Sequence, residues 1–99
     1  MTVEEVSVED KIQLNVSGKV DANSATEFQN AVLKAFQKSS FVIINFHDTT
    51  YVSSAGLRAL LIGQKTAQSK GGKFMIVNAN ESIVDVLRVT GLEKVLRVQ

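Results

Sequence analysis

Two hydrophobic patterns meet between residues 41 and 61, and the change from one to the other limits the folds open to this chain. Residues 41–46 read Phe-Val-Ile-Ile-Asn-Phe, a short and largely β-branched run that is typical of a buried strand. Leu57, Leu60 and Leu61 then repeat at helical spacing. A strand that leads into a helix is the building unit of α/β folds. Because residues 41–46 are apolar almost throughout, we expect this strand to be central and covered on both faces.

The other segments alternate between the same two patterns. Apolar residues predict strands at 3–8, 12–17, 73–77 and 96–98, and helices at about 24–37, 54–69 and 81–90. The first two strands are close enough to form a hairpin, and the later alternation favours βαβ crossovers. We therefore predict one α/β domain over residues 1–99. Its sheet of about four to five strands is mostly parallel, with an antiparallel N-terminal edge and three main helices.

Polar residues and glycines mark the ends of the predicted helices. Residues 24–27, Ser-Ala-Thr-Glu, have the spacing of a capping box, with Asn23 as a competing cap. Asn80 is a suitable cap for the third helix. Gly71 and Gly91 follow the second and third helices, where a glycine commonly ends a helix. Of the third helix, we expect Ile83, Val84, Val86 and Leu87 to face inward or nearly so.

Composition excludes several classes of function. The 11 basic and 10 acidic residues leave a net charge of +1, which gives no electrostatic case for nucleic acid or an anionic membrane as a partner. The chain has no cysteine, so thiolate catalysis and thiolate metal sites are excluded. No apolar run approaches the ~18–20 residues that span a bilayer, and the acidic N-terminus lacks a signal-peptide core. We expect a cytoplasmic protein without membrane insertion.

Two adjacent serines, Ser53 and Ser54, lie where the second predicted helix begins. Serine is a preferred helix cap. The free N–H groups and the positive dipole end of a helix N-terminus also accommodate a phosphate. A phosphate adds a charge of about −1.5 to −2, which a docked partner can reject while the fold persists. These residues therefore have two interpretations, as helix caps or as a phosphorylation switch.

Four short motifs in this chain occur together and in a fixed order. They are Gly-Lys-Val-Asp at 18–21, Ser-Ser-Ala-Gly-Leu-Arg at 53–58, Gly-Gly-Lys-Phe at 71–74 and Val-Thr-Gly-Leu at 89–92. In these motifs and their spacing the chain resembles the STAS domain family, most closely the stand-alone anti-sigma factor antagonists of bacteria. The resemblance covers nearly the whole chain. It implies the STAS fold, with the helices mostly on one side of the sheet.

The resemblance implies a regulatory binding protein, not an enzyme, with no cofactor or metal of its own. In such proteins the unphosphorylated form binds an anti-sigma factor with a GHKL-type serine kinase fold, and a sigma factor is released. The kinase phosphorylates a serine of the second motif, and a serine phosphatase resets the switch. Ser54 matches the first serine of the family pattern and is the predicted acceptor, with Ser53 as the alternative.

The predicted partner surface surrounds these serines. It comprises Asp21, Ser53, Ser54, Ala55, Gly56, Arg58 and Ile62. Asp21 resembles a kinase contact of the family, or it is an ordinary turn aspartate. Gly56 either lets the helix pack closely on a strand or lets a kinase approach the serine. Arg58 and Ile62 are expected on the helix face opposite the leucines, with Ile62 exposed.

The sequence gives weaker support to roles for Asn45, His47 and Asp48 and to other functions. Asn45 stands where many relatives have Asp, and we expect it to bond to a loop backbone. The adjacent His47 and Asp48 should point apart, so they are a poor basis for a catalytic triad with Ser54. A STAS switch without a sigma factor, or a STAS subunit of an ABC lipid transporter, remains an alternative function. A small-molecule or nucleotide site has the least support. We expect the free protein to be a monomer.

Overall fold

A computed structural model describes residues 1–99 as five strands, three α-helices and one short 3-10 helix. The strands are β1 (Thr2–Val8), β2 (Lys11–Val20), β3 (Phe41–Val52), β4 (Lys73–Val77) and β5 (Arg97–Val98). The helices are α1 (Ala25–Lys38), α2 (Ser54–Lys70) and α3 (Glu81–Val89), and the 3-10 helix spans Leu92–Lys94. The predicted order is confirmed. However, β2 and β3 are longer than predicted, so the links into α1 and α2 are short.

The sheet runs in the order β1-β2-β3-β4-β5. β1 pairs antiparallel with β2, and the remaining pairs are parallel, as predicted. Each crossover advances by one strand in the same direction, so right-handed connections place all three helices on one face. The core lies between that face and the helices. Its largest fully buried side chains include Phe28, Phe46, Phe74, Leu60 and Leu87.

The other face of the sheet has no helix over it. Val42 and Ile44 are completely buried, whereas the alternate residues Phe41 and Ile43 are half-buried. The prediction that this strand is covered on both faces is therefore wrong. The reason is topological: all the crossovers use the same face, so the three helices leave the second face uncovered.

The helix ends mostly follow the sequence pattern. Gly71 ends α2 in the left-handed conformation with φ 65°, and Gly91 follows α3 with φ 79°. Asn80 caps α3, since its Oδ1 accepts a hydrogen bond of 2.9 Å from the Ile83 N–H. Val86 is exposed rather than inward, because α3 buries only the Ile83 and Leu87 side of its surface. None of the helices combines the length and the apolar character needed to cross a membrane.

Candidate functional site

Ser53 is the N-cap of α2, as the sequence indicated. Its backbone is extended, with φ −80° and ψ 174°, and its Oγ accepts a hydrogen bond of 3.2 Å from the Gly56 N–H. Its carbonyl accepts the next bond, 2.9 Å from the Leu57 N–H. The Ser53 hydroxyl oxygen is therefore engaged in the hydrogen bond that caps α2.

Ser54 is the first residue of α2, and its side chain is exposed. At this position the N–H groups of Ser54 and Ala55 have no partner within the helix. The first turn of α2 contains no acidic side chain. The exposed Arg58 is four residues on, which places it next to Ser54 on the helix surface. The surroundings of the Ser54 hydroxyl therefore favour a negative charge.

Gly56 lets the first turn of α2 approach the sheet. A Cβ at this position would lie 2.8 Å from Val52 Cγ1 and 2.9 Å from Val20 Cγ1. Gly56 itself is buried. Close packing of α2 against the ends of β2 and β3 therefore accounts for this glycine, because a side chain at this position would point into the core.

Asp21 organises the turn between β2 and α1. Its Oδ1 accepts hydrogen bonds of 3.0 Å from the Asn23 N–H and 3.2 Å from the Ser24 N–H. The predicted capping box at residues 24–27 is wrong. Ser24 makes no side-chain cap bond to α1, because its Oγ turns back to accept from the Asp21 N–H at 2.9 Å.

The charge of Asp21 is stabilised by this turn. Partial desolvation acts to raise the pKa of the carboxyl, but the hydrogen bonds from Asn23 and Ser24 outweigh it, so the pKa lies below its ordinary value. Asp21 therefore remains ionised at neutral pH, close to the start of α2.

One backbone hydrogen bond brings the two loops together. The Ser53 N–H donates to the Val20 carbonyl at 2.8 Å, and Val20 pairs with Val52 in the register of β2 and β3. Asp21 directly follows Val20, and Ser54 directly follows Ser53. Both therefore lie at the carboxyl edge of neighbouring parallel strands, the edge at which binding sites of such sheets form.

A shallow groove of about 310 Å³ lies beside this edge, between α1 and α2. Its lining residues are Ala22, Ala25, Thr26, Gln29, Ala55, Arg58 and Ile62. Ile62 is half-buried in the groove, so the expectation that it is exposed is wrong, because α1 packs against that side of α2. Sequence reasoning missed Ala22, Thr26 and Gln29. Their position just after Asp21 was the available signal.

The sequence model of the STAS domain family matches residues 3–99 of this chain. The chain belongs to the STAS domain family. Among curated relatives, the anti-sigma-B factor antagonist of Bacillus subtilis (strain 168) is 24% identical over 90 residues, which cover 91% of this STAS domain and 83% of that protein.

Solved structures share the fold of this STAS domain. A crystal structure from Thermotoga maritima has a TM-score of 0.91 at 22% identity and covers 97% of this chain and 84% of its own. The anti-sigma factor antagonist SpoIIAA in its unphosphorylated form has a TM-score of 0.78 at 15% identity, and the match covers 99% of this chain and 87% of SpoIIAA. The phosphorylated form of the Bacillus cell fate determinant SpoIIAA has a TM-score of 0.77 at 16% identity, and the match covers 99% of this chain and 91% of that one. The STAS fold thus occurs in both states of that protein.

His47 and Asp48 lie away from the Ser54 edge in this STAS domain. Their side chains meet, with His47 Nδ1 3.0 Å from Asp48 Oδ1, so the expectation that they point apart is wrong. The register shifts between Asn15 and Ser17, and this irregularity turns both residues toward solvent. No hydrogen bond connects the pair to Ser54.

Proposed function

We propose that this STAS protein is an anti-sigma factor antagonist controlled by phosphorylation of Ser54. The unphosphorylated form binds an anti-sigma factor that has serine kinase activity, and a sigma factor is released. Phosphorylation of Ser54 ends the complex, and a serine phosphatase restores the binding form. In this cycle the protein is a ligand and a substrate, and it acts in the cytoplasm.

The proposal rests on one observation: of the two adjacent serines, one caps α2 and the other is exposed. Ser53 Oγ accepts the cap hydrogen bond from the Gly56 N–H at 3.2 Å, whereas Ser54 presents an exposed hydroxyl on the first turn. A kinase can therefore modify Ser54 without removing the helix cap. The names of the relatives support the same role, since the Bacillus subtilis protein is an anti-sigma-B factor antagonist.

The electrostatics of α2 explain how a phosphate changes binding without unfolding the domain. Free N–H groups, the helix dipole and the neighbouring Arg58 stabilise the added charge on its own helix end. A partner surface that fits a neutral hydroxyl meets a dianion in its place. The ionised Asp21 at the same edge adds to the negative charge that the partner must accept.

The proposal is tested by affinity capture with purified wild-type protein and Ser54→Asp, using lysate of the native cell. We expect wild type to retain an anti-sigma factor with a kinase domain, and Ser54→Asp to lose at least nine-tenths of it, roughly a tenfold weakening. With the captured kinase and ATP, wild type should take one phosphate and Ser54→Ala none.

Ser82→Asp is the matched control, because Ser82 is an exposed serine in the first turn of α3. The same charge at that helix start should leave capture unchanged. If folded Ser54→Asp binds the kinase as tightly as wild type does, or if Ser54→Ala still accepts phosphate, the proposal is refuted.

A further inference from the structure

The uncovered face of the sheet has no part in the proposed function. We call it the open face. Parallel sheets are normally covered on both sides, and four of the five strands here are parallel to one another. Half-buried apolar side chains run from one end of this face to its middle: Phe41 at the end, then Val6, Ile43, Met75 and Val77. Apolar side chains that stay partly accessible next to one another on one face indicate an interaction surface.

Charges on the open face are separated along the strands. Lys11 and Lys73 flank the ring of Phe41, with their Nζ atoms 5.0 Å and 5.7 Å from its centroid. Arg97 is in register with Met75, two residues farther along the face than Lys73 and in the same half of it. None of these three cations forms a salt bridge.

The acidic residues of the open face lie toward its opposite end. Glu4 pairs in register with Asn15, and Asp48 pairs with Ser17 farther along β2. A partner of a single charge sign would therefore be repelled at one end of this face. A second copy turned end for end would match it at both ends.

The polar side chains between these two ends already bond to one another. Asn45 Nδ2 donates to Asn15 Oδ1 at 2.9 Å, and Asn15 Nδ2 donates to Glu4 Oε1 at 3.0 Å. Asn78 Nδ2 donates to Asn45 Oδ1 at 3.0 Å, which extends the chain of amides beyond β4. Polar groups that are bonded in this way can be covered at a lower cost than free amides.

We propose that two copies of this protein pair through their open faces. The two-fold axis lies between the sheets and perpendicular to the strands, so that β3 of one copy crosses β3 of the other in the opposite direction. Asp48 of each copy then lies over Phe41 of the other, between Lys11 and Lys73. An axis along the strands would instead place cations over cations.

The size of the face predicts a weak dimer. Five strands about 4.8 Å apart and the rows from Phe41 to Asp48 define an area of roughly 500 Å² per copy, or about 1,000 Å² in total. That area is at the lower limit for a specific interface, so we expect a dissociation constant for the dimer on the order of 10 µM. All three helices face outward in this pair, which leaves both Ser54 sites accessible. The proposed dimer differs from the expectation, drawn from the sequence, that the free protein is a monomer.

Charge reversal tests this pairing by sedimentation velocity over two decades of concentration around ~10 µM. Wild type should change from monomer to dimer over this range. Lys11→Glu/Lys73→Glu and Asp48→Lys should each raise the dissociation constant about tenfold or more. Mixing the two variants should restore a mixed dimer, because every opposed pair then has opposite charges again.

Lys34→Glu/Lys65→Glu is the matched control, since it changes the net charge equally on exposed positions of α1 and α2. It should dimerise as wild type does, and circular dichroism should show that all variants are folded. A wild-type protein that stays monomeric throughout the range overturns the proposal. So does a dimer that open-face reversal leaves intact, or variants that fail to pair when mixed.

Discussion

Replacing Ser53 and Ser54 one at a time should separate stability from switching. The Ser53 hydroxyl accepts the cap bond from the Gly56 N–H at 3.2 Å, and removing a serine cap costs about 1 kcal/mol. For a domain of 99 residues, that loss lowers Tm by about 4–8 °C. Ser54 is exposed on the first turn, and alanine is the better helix former, so Ser54→Ala should change stability by less than about 0.5 kcal/mol.

Urea denaturation of wild type, Ser53→Ala and Ser54→Ala measures these differences as shifts in midpoint at a common slope. Ser53→Ala should be the less stable variant and should still accept phosphate, whereas Ser54→Ala should be as stable as wild type and accept none. The reasoning is refuted if Ser54→Ala loses as much stability as Ser53→Ala. Loss of phosphate acceptance in a folded Ser53→Ala protein would equally contradict it.

Two further predictions concern the surroundings of these serines. Gly56→Ala should destabilise the domain by about 1–2 kcal/mol, since overlap of its Cβ with Val20 and Val52 exceeds the gain in helix propensity; a urea midpoint at or above that of wild type would contradict this packing. Asp21→Asn should be less stable than wild type at neutral pH. Because the pKa of Asp21 is lowered on folding, this difference should disappear as the pH falls below the ordinary value of 3.8 and through the folded pKa. The Tm difference between wild type and Asp21→Asn is measured by thermal melts at pH 7 and at pH 3. A difference of the same size at both pH values would exclude a role for the charge.

Local sequence patterns were sufficient for most of the architecture. The period of the apolar residues placed all three helices, and Gly71 and Asn80 act at the helix ends where they were expected. A serine cap at Ser53 or Ser54 was expected from the sequence, and Ser53 is the cap. That Asp21 and Ser54 lie at the same end of the sheet also followed, because the carboxyl ends of parallel strands meet at one edge.

The errors arose where a distant contact decides the outcome. Ser24 has the spacing of a capping box, but its Oγ accepts from the Asp21 N–H instead, and its own N–H donates to Asp21 Oδ1. Ile62 was expected to be exposed, yet α1 packs beside it. The apolar run at residues 41–46 indicated a strand but not how many of its faces are covered, since that depends on the direction of every crossover. Asn45 bonds to the side chains of Asn15 on β2 and Asn78 just after β4, which no local pattern reveals. The backbone group that it bonds is the His47 N–H within β3, not a loop.

Intact-mass spectrometry with fragmentation tests the central claim most directly. The protein is isolated from its native cell across growth conditions, and every modified form is mapped to a residue. The account predicts one phosphate, on Ser54, whose occupancy changes with growth condition. An unmodified mass under every condition, or a phosphate only on Ser53, would contradict it.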